Sequence, residues 1–201
     1  MLLEDTPLAS TQWVDLPREL SLGIGAGCRV IRMVEDGAVL RISLHVEAGG
    51  QIILQSPLGD AAGYWCPGLS AERGLPADWK GRDRFSAVRS APLGALYDAT
   101  GTSPLAFGFD LPHAEGELQF GVSEETKRFV VRLPIDERVT RRGAELDLVV
   151  LRGAAPYATA IRAVADALYA QTPARRASSA AAEPVYSTWY AHSQRISDQI
   201  L

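Results

Sequence analysis

Leu40-Arg-Ile-Ser-Leu-His-Val-Glu47 alternates without a break between apolar and polar residues. Successive side chains of a strand point to opposite faces, so this stretch reads as a half-buried strand with Leu40, Ile42, Leu44 and Val46 inward. The period recurs down the chain. Leu105, Phe107, Phe109 and Leu111 alternate, as do Leu118, Phe120 and Val122. Phe129, Val131, Leu133 and Ile135 follow, then Leu146, Leu148 and Val150. Turn residues separate these runs at intervals of about ten. Many short alternating strands spaced this way predict a β-sandwich.

Glu35-Asp-Gly37 reads as the tight turn before Leu40, because Asp-Gly supplies positive φ readily. Gly49-Gly50 marks the next turn and Gln51 to Gln55 the next strand. Residues 1–27 carry isolated apolar residues and Gly23-Ile-Gly-Ala-Gly27, read as loop or hairpin turn. This is not a nucleotide loop: the G-x-G-x-x-G spacing is missing and a strand follows where a helix is needed. Between Gly59 and Lys80 the alternation stops. Gly63-Tyr-Trp-Cys-Pro-Gly68 and Leu75-Pro-Ala-Asp-Trp79 place aromatics in a Gly/Pro-rich segment. Long loops of this kind are often functional. The plainer alternative is that Trp65 and Trp79 plug the end of the sandwich.

Pro156 suits the first turn of a helix, since it lacks an amide that would go unsatisfied there. Tyr157, Ile161, Val164 and Leu168 recur at helical spacing, and the helix is expected to end near Gln171, before Pro173. Thr172 to Glu183, rich in Ala and Ser, reads as linker. Pro184-Val-Tyr-Ser-Thr-Trp-Tyr-Ala-His-Ser-Gln194 then runs through β-formers to two large aromatics. Ser197 and Asp198 read as a helix N-cap and first turn. Strand, aromatic tip, loop and helix make one βα unit, the repeating piece of a (β/α)8 barrel. Such a barrel takes roughly 250 residues, and only 184–201 remain. The expected layout is a β-sandwich domain over 1–155, a connecting helix and linker over 156–183, and the start of a truncated barrel over 184–201.

Composition bounds the partners. The 201 residues are 47% hydrophobic and 22% charged, with a formal net charge of -4. That is ordinary for a globular chain, and the acidic balance argues against nucleic acid. No polybasic membrane patch, apolar spanning run or signal peptide is visible, so a cytoplasmic location is expected. Two cysteines, Cys28 and Cys66, could make one bridge, but two buried free thiols are the favoured reading.

Three sets of residues together resemble the glycoside hydrolase family 36 α-galactosidases, the melibiase-like enzymes. Pro184-Val-Tyr-Ser-Thr-Trp-Tyr-Ala-His192 is similar to their first barrel strand. Ser90-Ala-Pro-Leu-Gly-Ala-Leu-Tyr-Asp98, Leu105-Ala-Phe107 and Gly121-Val-Ser-Glu-Glu-Thr126 resemble their N-terminal domain in order and spacing. Gly63-Tyr-Trp-Cys-Pro67 and Asp78-Trp79 resemble its aromatic loop. The resemblance covers most of residues 35–201.

The resemblance implies an N-terminal supersandwich of the galactose-mutarotase-like kind beside the barrel. It implies hydrolysis of terminal α-linked galactose, as in melibiose and raffinose, with retention of configuration. Retention needs two carboxylates about 5 Å apart. In the family both are Asp on later barrel strands, so no catalytic residue is expected here and this polypeptide alone is expected to be inactive. Trp65, Trp189 and Tyr190 are implied as walls of the galactose pocket, where a flat apolar ring meets the C–H face of the sugar. Adjacent strand residues point oppositely, so only one of Trp189 and Tyr190 can face inward within the strand proper. The implied partner is an α-galactoside oligosaccharide. No metal or cofactor is implied, and family members are often dimers or tetramers. The alternatives are a stand-alone carbohydrate-binding sandwich, an α-N-acetylgalactosaminidase, or a galactosyltransferase of the raffinose-synthase kind.

Overall fold

The computed structural model describes residues 11–17, 19–67, 74–77, 80–86, 90–111, 114–139 and 144–170. The chain divides into two compact units, Met1–Ala170 and Gln171–Leu201. The expected barrel strand over 184–201, with Trp189 and Tyr190, lies outside the described residues, as does Trp79.

In chain order the strands are β1 (Gln12–Leu16), β2 (Leu20–Ile24), β3 (Arg29–Asp36), β4 (Val39–Val46), β5 (Gln51–Pro57), β6 (Ala61–Trp65), β7 (Gly81–Phe85), β8 (Leu93–Asp98), β9 (Thr102–Ser103), β10 (Leu105–Phe109), β11 (Gly116–Ser123), β12 (Arg128–Pro134), β13 (Ala144–Leu151) and β14 (Ala155–Pro156). The helix α1 (Tyr157–Tyr169) follows. The first sheet runs β1-β2-β5-β12-β11-β7 and the second β3-β4-β13-β10-β8-β6, while β9 and β14 form a small ribbon. Every pairing between these strands is antiparallel. The protein is therefore mainly β, and its larger unit is a sandwich.

The alternation read from the sequence sets the inner faces. Leu40, Ile42, Leu44 and Val46 of β4 share one core with Phe129, Val131 and Leu133 of β12 in the facing sheet. Leu105, Phe107 and Phe109 of β10 enter the same core. The residues between them do something else. Ala106 joins Leu93, Ala95, Val149 and Leu151 in a second cluster on the outer face, under Ala160, Val164 and Leu168 of α1. β10 is thus buried on both faces, with large residues toward the sandwich and small ones toward the helix. Gly108 completes the small face: a Cβ there would lie 2.7 Å from Leu168 Cδ1 and 3.1 Å from Val164 Cγ1.

Several local expectations shift. Residues 12–16 and 20–24 pair as strands β1 and β2, which the isolated apolar residues did not announce, and the expected Gly-rich turn is found at Ala26–Gly27. The turn before β4 has Gly37 and Ala38 at its centre, between paired Asp36 and Val39, with Gly37 at φ 60°. Glycine at the first central position suits a tight hairpin as well as Asp-Gly does. The aromatic segment Gly63–Trp65 is the end of strand β6 and not loop; the Gly/Pro content of its neighbours concealed it. Pro156 caps α1 from just outside and pairs with Thr102 in the ribbon. The buried stripe of α1 is Ala160, Val164 and Leu168, while Tyr157 stays exposed.

Tyr64 joins the sheets. Its ring lies 4.2 Å from Phe120 and 5.3 Å from Phe129, both across the sandwich, and 6.3 Å from Phe107 on its own side. The hydroxyl end of its ring sits against Gly94, where a Cβ would overlap the Tyr64 hydroxyl and sit 2.7 Å from two ring carbons. A ring held by three others cannot yield as an aliphatic tip can. Gly94→Ala should therefore cost about 1–3 kcal/mol, the usual range for overpacking. Chemical denaturation of Gly94→Ala, with and without Tyr64→Phe, checks this: the cost should shrink in the Phe background, because the clash nearest the new methyl is gone.

Candidate functional site

Trp65 is the described member of the three residues implied as sugar contacts. Tyr64 and Cys66, its neighbours, enter the inter-sheet core. Trp65 therefore points the other way, to the outer face of the second sheet. It sits in register with Ala95, which belongs to the helix-facing cluster, and is half-buried.

Strand β6 also builds a buried polar cluster. Tyr64 is fully buried, Cys66 nearly so, and Asp83 of β7 is 3% exposed. The sequence Gly81-Arg-Asp-Arg-Phe85 explains the last: Arg82 and Arg84 face water, so Asp83 must face in. Burial pushes the Asp83 carboxyl up to about 6, against the hydrogen bond it accepts from the Cys66 thiol. Burial also lifts the Tyr64 hydroxyl well above its ordinary value, helped by the charges of Cys66 and Asp83. Among the described residues the Tyr64 hydroxyl and Asp83 Oδ2 find no hydrogen-bond partner. All three residues are buried, so the cluster bears on stability. Cys28 and Cys66 are free thiols, the first half-buried. Burial raises the Cys28 thiol, which disfavours the reactive thiolate.

A cleft of about 420 Å³ opens at the end of the first sheet, lined by Arg84, Ser86, Glu115, Glu117, Asp136 and Arg138 among others. Arg82 Nε and Arg84 Nε hold the two oxygens of Glu117 at 3.2 and 3.3 Å. Arg138 Nη2 holds Asp136 Oδ2 at 2.7 Å. Interleaved guanidinium and carboxylate groups can donate to and accept from hydroxyls of a neutral polar ligand. Phe85, also in the lining, is buried and offers no open stacking face. Glu117 and Gln119 are on the outer face of the first sheet, opposite the outer face that carries Trp65, so the two places are separate. Sequence reasoning missed this cleft. Arg82 and Arg84 show period two, but only the register Arg84↔Glu117 and Arg82↔Gln119 brings the groups together.

On the second sheet, Arg41 Nη1 donates to Asp147 Oδ2 at 2.6 Å and Ser43 Oγ to Asp147 Oδ1 at 2.7 Å. Arg41 also donates through Nη2 to the Ala167 carbonyl, in the last turn of α1. Asp110 lies nearby, its carboxyl raised by burial and by Asp147, and lowered in part by Arg41. This network ties the helix end to the sheet. Asp98 is likewise occupied: its Oδ1 accepts from the Thr100 and Thr102 amides at 2.8 and 2.9 Å and holds a turn. Among the described residues no cluster of His, Cys, Asp and Glu could hold a metal ion. Nor is any helix among them long and apolar enough to cross a membrane.

The described residues define a class: an antiparallel β-sandwich with helix α1 on its outer face. Compared with known proteins, the chain matches no family model, and no curated protein matches it.

The buried carboxyl makes stability depend on pH in a definite direction. A carboxyl near 6 when folded, against 3.8 unfolded, binds its proton more tightly in the fold. Its contribution is therefore best at low pH and falls as pH rises through that window. Asp83→Asn removes this slope. The variant should gain on the parent between pH 4 and 7, by up to about 3 kcal/mol at 1.36 kcal/mol per pH unit of that window. Paired thermal or urea unfolding across that range measures it; a difference that does not change with pH would contradict the assignment.

Proposed function

We propose that the chain is the scaffold portion of a retaining α-galactosidase: a galactose-mutarotase-like supersandwich, followed over 184–201 by the first strand and helix start of a catalytic barrel. In this reading it supplies aromatic walls to the pocket for a terminal α-linked galactose, with Trp65, Trp189 and Tyr190 as those walls. The acid pair of the retaining mechanism comes from barrel strands after the first, and no residue of this polypeptide is catalytic. The observation that carries the reading is the placement of Trp65. It is half-buried on the outer face of an edge strand, instead of plugging the core as its neighbour Tyr64 does. The part of the indole left open offers an apolar face to sugar C–H groups, and its N–H can donate to a hydroxyl.

A second reading, a carbohydrate-binding sandwich acting by itself, is favoured by the polar cleft of the first sheet. The two readings use opposite faces, so one experiment separates them. Melibiose and raffinose are titrated into the chain by calorimetry, with Trp65→Ala and Arg138→Ala alongside. The scaffold reading expects Trp65→Ala to weaken binding about tenfold, a loss of roughly 1.4 kcal/mol, and Arg138→Ala to leave it unchanged. The reverse pattern supports the second reading. p-Nitrophenyl α-galactoside should not be turned over by this polypeptide, and measurable turnover would overturn the assignment of the acid pair.

A further inference from the structure

Among the described residues the two sheets have four edge strands, β1, β7, β3 and β6. Three of them are five residues long, whereas β3 has eight. β3 also concentrates exposed apolar surface, with Ile31 and Met33 each 45% exposed and Val34 38%. Unpaired strand edges are templates for further pairing, and a long apolar one especially so. Its pairing with β4 slips between Val30 and Arg32, leaving Ile31 as the extra residue. Beyond that bulge the strand is regular: Arg32, Met33, Val34, Glu35 and Asp36 stand opposite Ser43, Ile42, Arg41, Leu40 and Val39. Ile42 and Leu40 face the core. Arg32, Val34 and Asp36 therefore share the outer face. Among the described residues neither Arg32 nor Asp36 has an ion-pair partner.

We propose that β3 is the interface with a second copy of this chain, paired antiparallel with Val34 opposite Val34. Symmetry and charge together select that register. A two-fold axis perpendicular to the sheet keeps each face on its own side, so some residue must oppose itself. Centring on Arg32 sets two guanidinium groups against each other, which is unfavourable. Centring on Met33 sets Arg32 against Val34 and leaves both charges unmatched. Centring on Val34 sets Arg32 opposite Asp36 of the second copy, and Asp36 opposite its Arg32. Two opposite-charge pairs then flank an apolar pair on one face. Met33 of each copy meets Glu35 of the other on the opposite face. The second sheets of the two copies would join into one continuous sheet. This inference does not depend on the sugar reading.

Sedimentation equilibrium of the full chain over a range of concentrations tests it, with Arg32→Asp, Asp36→Arg and the double reversal. The parent should show a monomer–dimer equilibrium. Each single reversal should raise Kd about tenfold by placing like charges opposite each other twice per dimer. The double reversal should restore parental association, since it recreates the two pairs with their signs exchanged. These positions are exposed, and circular dichroism should show all variants folded. A parent that is monomeric at its highest soluble concentration would overturn the proposal. So would a dimer that ignores the single reversals, or one that the double reversal fails to rescue.

Discussion

The rest of the larger unit depends on four rings packed between the sheets. Tyr64 and Phe107 belong to the second sheet, Phe120 and Phe129 to the first, and Tyr64 approaches all three. Buried aromatics supply large apolar area, and tilted contacts between them add somewhat more. The cluster fits because glycines lie beneath two of the rings. Gly94 lies under Tyr64, and Gly81 under Phe120, where a Cβ would come within 2.6 Å of Phe120 Cδ2. The backbones there have no side chain of their own, so the rings can lie close to the sheets. One consequence is electrostatic. The same packing that seats Tyr64 and Cys66 also removes Asp83 from water, and its carboxyl rises to about 6.

The outer face of the second sheet follows a complementary rule. Ala95, Ala106 and Gly108 keep the surface low, so Ala160, Val164 and Leu168 of the helix settle into it. Arg41 then links sheet to helix by holding both Asp147 and the Ala167 carbonyl. A cation at a helix C-terminus also suits the helix dipole. Trp65 is on this same outer face, at the edge strand and half-buried, and the proposed function rests on that position.

Much of this was legible in the sequence. Strands β4, β10, β11, β12 and β13 alternate plainly because one face is wet or because large residues alternate with small ones, and they form the middle of the sandwich. The helix was legible from its spacing, although Tyr157 proved exposed and Ala160 buried. β6 and β7 were not legible. Gly63-Tyr-Trp has no polar partner residues to mark a period, and Asp83 between two arginines looks like a wet charge until strand alternation turns it inward. The polar cleft was hidden for a different reason. Its ion pairs join β7 to β11 across 33 residues of sequence in the case of Arg84 and Glu117, and nothing local announces that register. Of the three implied sugar contacts, Trp65 took a definite place, while Trp189 and Tyr190 lie outside the described residues.

The two sheets form one cooperative core locked by the Tyr64 cluster. Native-state amide exchange as a function of denaturant tests it most directly. The slowest amides of β5 and β12 in the first sheet should merge with those of β4, β10 and β13 in the second, all exchanging through a single unfolding event of equal free energy. Two separate isotherms, one for each sheet, would show that the sheets open independently and would contradict the account.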